Sequence, residues 1–222
     1  MFARLACARL ATATPARRQR NWRIDAAAGH RRIVPSPPPP RCPIGQSSRA
    51  RGRYSARMTD VSDAALHQLA EQLGEAARSH HHMLVTAESC TGGWIAKTLT
   101  DIAGSSGWFE CGMAAYSYEA KQSLLSVRPQ TLEQFGAVSR ETVIEMVSGA
   151  LANTGATLAV AVTGIAGPGG GTEDKPVGTV WIAWKRRGGY PKAEVFHFAG
   201  DREAVRRQTV AASLQGMLAL AT

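Results

Sequence analysis

The chain has 222 residues and a formal net charge of +9, the length of one ordinary domain with a segment to spare. The charge is uneven: residues 1–57 carry 13 of the 26 basic residues, all arginine, and one acid, Asp25, leaving 13 basic and 16 acidic residues in 58–222. A net-acidic domain argues against a nucleic-acid partner, and no apolar run is long enough for a membrane span or a secretory signal.

Residues 1–57 read as a disordered leader, rich in Arg, Ala and Pro, with PSPPPP at 35–40 and no sustained apolar period. Three readings compete for it: a transit peptide, a basic tail, or sequence upstream of a true start at Met58. The compositional break favours the last. Cys7, Cys42, Cys90 and Cys111 show no paired spacing, which predicts a reducing, cytoplasmic setting without disulfides or a zinc site. Three adjacent histidines, His80 to His82, would point in different directions and read as a polar connection.

The domain, residues 60–222, opens with Leu66, Leu69, Ala70, Leu73 and Ala77 at helical spacing, which predicts an amphipathic helix over 62–79. Residues 83–88 (MLVTAE) read as a buried strand, SCTGG at 89–93 as a turn, and 94–102 as a helix. That order puts free backbone N–H groups at a strand's carboxyl end, a common ligand position in α/β folds. Residues 111–117 read as a short buried strand and 118–127 as a helix beside it. A helical turn is expected at 129–134, and a longer helix capped by Ser139 and ending near 153–155. TLAVAVTG (157–164) reads as a central strand buried on both faces. Strands over 177–185 and 193–198, joined by a hairpin-like turn, and a final helix over 202–220 complete the chain. The pattern predicts a single-domain α/β layered sandwich, a mixed sheet with helices packed on its faces.

Three places could carry chemistry. Ser105, Ser106, Tyr116 and Lys121 lie within seventeen residues. A serine needs a partner to take its proton, and a lysine can serve only if burial or a positive field keeps its amine partly neutral. The start of the helix after residue 117 would supply such a field to Lys121. Spacing alone equally suits a turn serine, a packed tyrosine and a solvated lysine. The loop at 164–171 has five glycines in eight residues, suited to an anion nest or to a mobile surface loop. Cys90 is a rival nucleophile near a helix start, without an obvious catalytic histidine. Arg202 and Arg206, one turn apart, suit a phosphate, a neighbouring subunit or a solvated face.

AESCTGG (87–93), GSSGWFECGMAAYSYEAK (104–121), AVTGIAGPGGGTEDKPVGTVWIA (161–183) and FAGDREAVR (198–206) resemble the CinA C-terminal domain family, in the family's order and over nearly the whole domain. The stand-alone members of that family are nicotinamide-nucleotide amidases. The resemblance implies hydrolysis of nicotinamide mononucleotide to nicotinate mononucleotide and ammonia, with no metal or cofactor and a homodimer or higher homo-oligomer. It places the nucleophile on Ser106, with Tyr116 and Lys121 as its relay; for attack by Ser106, backbone N–H groups near Ser105 and Ser106 would form the oxyanion site. Loop chemistry adds Ser89, Thr91, Gly92, Gly93, Gly164, Gly167, Gly169 and Gly170 as contacts for the ribose and phosphate. Another small amide as substrate, or a non-catalytic nucleotide-binding module, are the alternatives.

Overall fold

The computed structural model describes residues 60–222, and the readings made for residues 1–57 lie outside them. Six helices and five strands follow one another: α1 (Asp63–Ser79), β1 (Leu84–Glu88), α2 (Trp94–Thr100), β2 (Phe109–Ala114), α3 (Tyr118–Leu125), α4 (Pro129–Phe135), α5 (Arg140–Ala152), β3 (Leu158–Gly164), β4 (Thr179–Arg186), β5 (Lys192–His197) and α6 (Arg202–Ala221). A single 3-10 turn, Ser105–Gly107, precedes β2.

The strands form one mixed sheet in the order β2-β1-β3-β4-β5. β1 runs parallel to both β2 and β3, whereas β3–β4 and β4–β5 are antiparallel. Alternation along β3 divides the core into two layers. Leu158, Val160 and Val162 face α1, α2 and α6, while Ala159 and Ala161 face the layer of α3, α4 and α5. Small residues on that second face let α5 lie close, and Gly149 in α5 touches the backbone of Leu125 at the end of α3.

Local chemistry sets the helix starts. Ser62, Ser117, Ser139 and Asp201 each accept a hydrogen bond from the backbone N–H three residues on, which opens α1, α3, α5 and α6. Such caps are worth about 1 kcal/mol apiece. At the other end of α5, Arg187 donates to the carbonyls of Leu151, Thr154 and Ala156.

The expected buried strand at 111–117 is corrected. β2 is an edge strand that alternates between half-buried and exposed residues and ends at Ala114. Among the described residues only one of its long sides meets another strand, and Ser117 is already the cap of α3, so Tyr116 stands in the connection. The histidine run is a connection held by the hydrogen bond between His82 Nδ1 and Thr157 Oγ1 at 3.0 Å. No helix among the described residues is long and apolar enough to cross a membrane.

Candidate active site

The parallel strands β2, β1 and β3 end side by side, with Ser89 N donating to Val162 O and Ala115 N to Glu88 O. The connections leaving β1 and β2 diverge there, to α2 in one layer and to α3 in the other, at the carboxyl edge of the sheet where ligands bind in open α/β folds. Ser89 is the first residue beyond β1 and is buried to 8% exposure. Lys121, the fourth residue of α3, is only 1% exposed. Its Nζ donates to Ala115 O at 2.9 Å and Tyr116 O at 3.1 Å, and lies 3.0 Å from Ser89 Oγ. Two carbonyls thus take two amine protons, and the third direction faces the serine hydroxyl. Burial pushes the Lys121 pKa below the ordinary lysine value, toward a neutral amine whose lone pair can accept from Ser89.

The turn that carries Ser89 is built around a buried carboxylate. Glu88 Oε1 accepts from Thr86 Oγ1 at 3.0 Å and Ala96 N at 2.8 Å. Its Oε2 accepts from Thr91 Oγ1 at 2.7 Å and from Gly93 N and Ile95 N, both at 3.0 Å. The start of α2 is therefore occupied by an anion of the chain itself. Thr91 Oγ1 and Gly93 N, expected as phosphate contacts, are spent on Glu88. Gly92 and Gly93, at φ of +63° and +98°, give the turn its left-handed geometry.

α6 reaches the same edge through two arginines. Arg206 Nε donates to Cys90 O at 3.1 Å and Nη2 to Thr91 O at 2.7 Å, with the guanidinium 5.0 Å over the Trp94 ring. Arg202 Nη1 donates to Gly167 O at 2.8 Å and Nη2 to the Tyr116 hydroxyl at 3.3 Å. Arg202 thereby bridges the glycine-rich loop and the β2–α3 connection at the mouth of the cluster. Within that loop, Gly164 and Gly167 are packing positions, where a Cβ would meet Val180 and Val177. Gly169 and Gly170 are exposed.

The structure brings Ser89, Thr91, Tyr116, Lys121, Gly167, Arg202 and Arg206 together, and it does not bring Ser105 or Ser106 to them. Ser106 is exposed on the 3-10 turn before the first residue of β2, while Lys121 follows its last. The six residues of β2 span about 20 Å at the rise of an extended strand, which puts the two at opposite ends of the sheet. Tyr116 meets Lys121 through its carbonyl, and the phenol of this 64% exposed residue turns to Arg202. Cys90 is buried, and burial, with the Glu88 carboxylate adding to it, pushes its thiol up to about 12, which disfavours the thiolate a nucleophile needs. The sequence puts Ser89 in a ligand turn but does not pair it with Lys121. The available signal was its position directly after a buried strand and ahead of a helix.

The model of the CinA C-terminal domain family matches residues 66–221. The chain is 53% identical over 155 residues to the nicotinamide-nucleotide amidohydrolase PncC of Escherichia coli K12, covering 70% of this chain and 94% of that protein. It is 53% identical over 154 residues to the protein of the same name from Pseudomonas putida, covering 69% and 96%. Among solved structures, the competence/damage-inducible protein CihA from Agrobacterium tumefaciens superposes with a TM-score of 0.70 at 43% identity, over 71% of this chain and 96% of that one. A second, the CinA superfamily protein ECK1530/EC0983 from Escherichia coli, gives 0.69 at 35% identity, over 74% and 95%. With every residue of the cluster inside the matched segment, the chain belongs to the CinA C-terminal domain family.

Proposed function

We propose that the chain is an amidohydrolase that converts nicotinamide mononucleotide and water to nicotinate mononucleotide and ammonia, with Ser89 as nucleophile and Lys121 as its base. The observation that carries this reading is the 3.0 Å approach of the buried Lys121 Nζ to Ser89 Oγ. The names of the PncC relatives, aligned over nearly their whole length, support the substrate.

Neutral Lys121 takes the hydroxyl proton as Ser89 Oγ attacks the carboxamide carbon, forming the C–O bond and a tetrahedral oxyanion. Collapse of that intermediate breaks the C–N bond, and the Lys121 ammonium returns the proton to the leaving nitrogen, which departs as ammonia. Lys121, neutral again, deprotonates water for attack on the acyl ester; collapse breaks the ester C–O bond, the Lys121 ammonium reprotonates Ser89 Oγ, and the acid released gives up its own proton to ammonia or solvent as it leaves as the carboxylate. In this reading Tyr116 is no proton relay. It stands with Arg202 and residues 167–170 at the mouth, where the ribose and phosphate would lie.

The test uses the full chain and nicotinamide mononucleotide, with ammonia and nicotinate mononucleotide followed together. Equal release of both is expected, reduced by roughly a thousandfold or more in Ser89→Ala and Lys121→Ala and kept within about threefold in Ser106→Ala. Retained turnover in Ser89→Ala with loss in Ser106→Ala would restore the Ser106 assignment. Faster turnover of free nicotinamide than of the mononucleotide would move the substrate to another small amide.

A further inference from the structure

The polar groups of the turn after Ser89 can be accounted for one by one, since a buried backbone N–H left without an acceptor calls for a reason. Ser89 N donates to Val162 O, Gly92 N to Ser89 O and Trp94 N to Thr91 O. Gly93 N, Ile95 N and Ala96 N all donate to Glu88. Among the described residues only two N–H groups from Ser89 to Ala96 have no acceptor in another residue, those of Cys90, which faces its own thiol sulfur, and Thr91. Both residues are buried, so bulk water does not readily supply the missing partner.

Their directions follow from the carbonyls beside them. In a trans peptide the N–H points opposite to the C=O of the preceding residue, and the described cis bond, Gly167–Pro168, lies elsewhere. The carbonyl of Ser89 turns to Gly92 N, which sets the Cys90 N–H the other way. The carbonyl of Cys90 turns to Arg206 on α6, in the layer with α1 and α2. The Thr91 N–H therefore points away from that layer, toward the side on which α3 carries Lys121. Arg206 itself has little freedom: its second donor holds Thr91 O, and its guanidinium lies on Trp94.

We propose that the Cys90 and Thr91 amides form the oxyanion site for attack by Ser89, and that Arg206 is the positioning residue that aims the Thr91 amide into it. This rests on Ser89 being the nucleophile. It moves the oxyanion site from Ser105 and Ser106, where a Ser106 nucleophile would need it, to the opposite end of the sheet. Arg206 touches no reacting atom. It fixes a peptide plane, and the benefit is felt when negative charge develops on the substrate oxygen.

The experiment replaces Arg206 by Gln and by Lys in the full chain and measures ammonia release from nicotinamide mononucleotide over a range of substrate and pH. For Arg206→Gln, kcat is expected to fall about a hundredfold or more while KM moves less than about threefold, as for loss of an oxyanion donor. The pH midpoint assigned to Lys121 should stay where it is in the parent. Millimolar guanidinium should restore part of the lost kcat by occupying the vacated carbonyls, which a merely loosened fold would not show. Arg206→Lys can still hold one of the two carbonyls and is expected to lie between parent and Gln variant; it also serves if the Gln variant does not fold. A raised KM at unchanged kcat would make Arg206 a substrate-binding residue and overturn the proposal, as would parental kcat in either variant. Turnover surviving in Ser89→Ala sinks the nucleophile assignment instead, a separate result in a separate protein.

Discussion

Lys121 Nζ and Ser89 Oγ lie 3.0 Å apart although 32 positions separate them in the chain. The contact exists because β1 and β2 are parallel and adjacent, so the residues just past their ends share one edge of the sheet. Everything that tilts α3 or reshapes the turn after β1 acts on this one distance.

The first prediction concerns pH. Burial depresses the Lys121 pKa, and only the neutral amine can accept the Ser89 proton, so kcat/KM should rise with pH through that depressed value and then level. The same shift has a stability consequence. Between the folded-state pKa and the ordinary 10.5 the unfolded chain binds more protons, so the contribution of Lys121 to stability grows as pH rises and is lost as pH falls through the folded value. Replacing it by Met should abolish turnover by about three orders of magnitude. Urea unfolding at several pH values should show the Met variant gaining most relative to the parent at the lowest pH. A difference independent of pH would mean that Lys121 titrates normally.

Glu88→Gln is expected to be costly. Both Glu88 oxygens face donors only, so either orientation of the amide sets an NH2 group against N–H or O–H partners. A loss of about 3 kcal/mol or more in urea unfolding is expected, with turnover lost as the Ser89 turn rearranges. A variant of parental stability would show that the carboxylate is not what organises the turn.

The Cys90 thiol should be inert in the folded protein. With its pKa pushed up to about 12, almost no thiolate is present at neutral pH. Iodoacetamide treatment followed by peptide mass spectrometry should leave Cys90 unmodified until the chain is unfolded in urea. Rapid labelling of the folded state at neutral pH would contradict the burial of that side chain.

Gly149→Ala tests how α3 is held. The added Cβ would collide with the Leu125 carbonyl, so α5 must move off α3. Overpacking of this kind costs about 1–3 kcal/mol, and thermal melting should register it. Because Lys121 rides on α3, kcat should fall as well, with the same pH midpoint. An Ala variant that melts like the parent would show that the two helices separate freely.

Most of the fold was legible in the sequence because its elements announce themselves locally. The spacing of Leu66, Leu69 and Leu73 specified α1, the apolar residues 158–162 within TLAVAVTG specified a central strand, and Ser139 marked the start of α5. The site was less legible, for a geometric reason. Ser106, Tyr116 and Lys121 are close in sequence, but an extended strand lies between the first and the other two, and a strand carries its ends apart. Ser89 and Lys121 are distant in sequence and meet only through strand pairing. Glu88 read as the last residue of a strand, because nothing in a linear pattern shows that five donors will converge on it. Arg206 acts on carbonyls more than a hundred positions away, a relation that exists only once α6 has packed.

The carboxylate of Glu88 at the head of α2 also bears on when the site becomes ordered. Many anion-binding turns acquire their shape from the ligand and lose conformational freedom at each binding event. Here the anion is part of the chain, so that ordering cost is met once, during folding. The amides of Ile95 and Ala96 should therefore exchange with solvent as slowly in the empty protein as in the occupied one, and free phosphate should leave them unchanged.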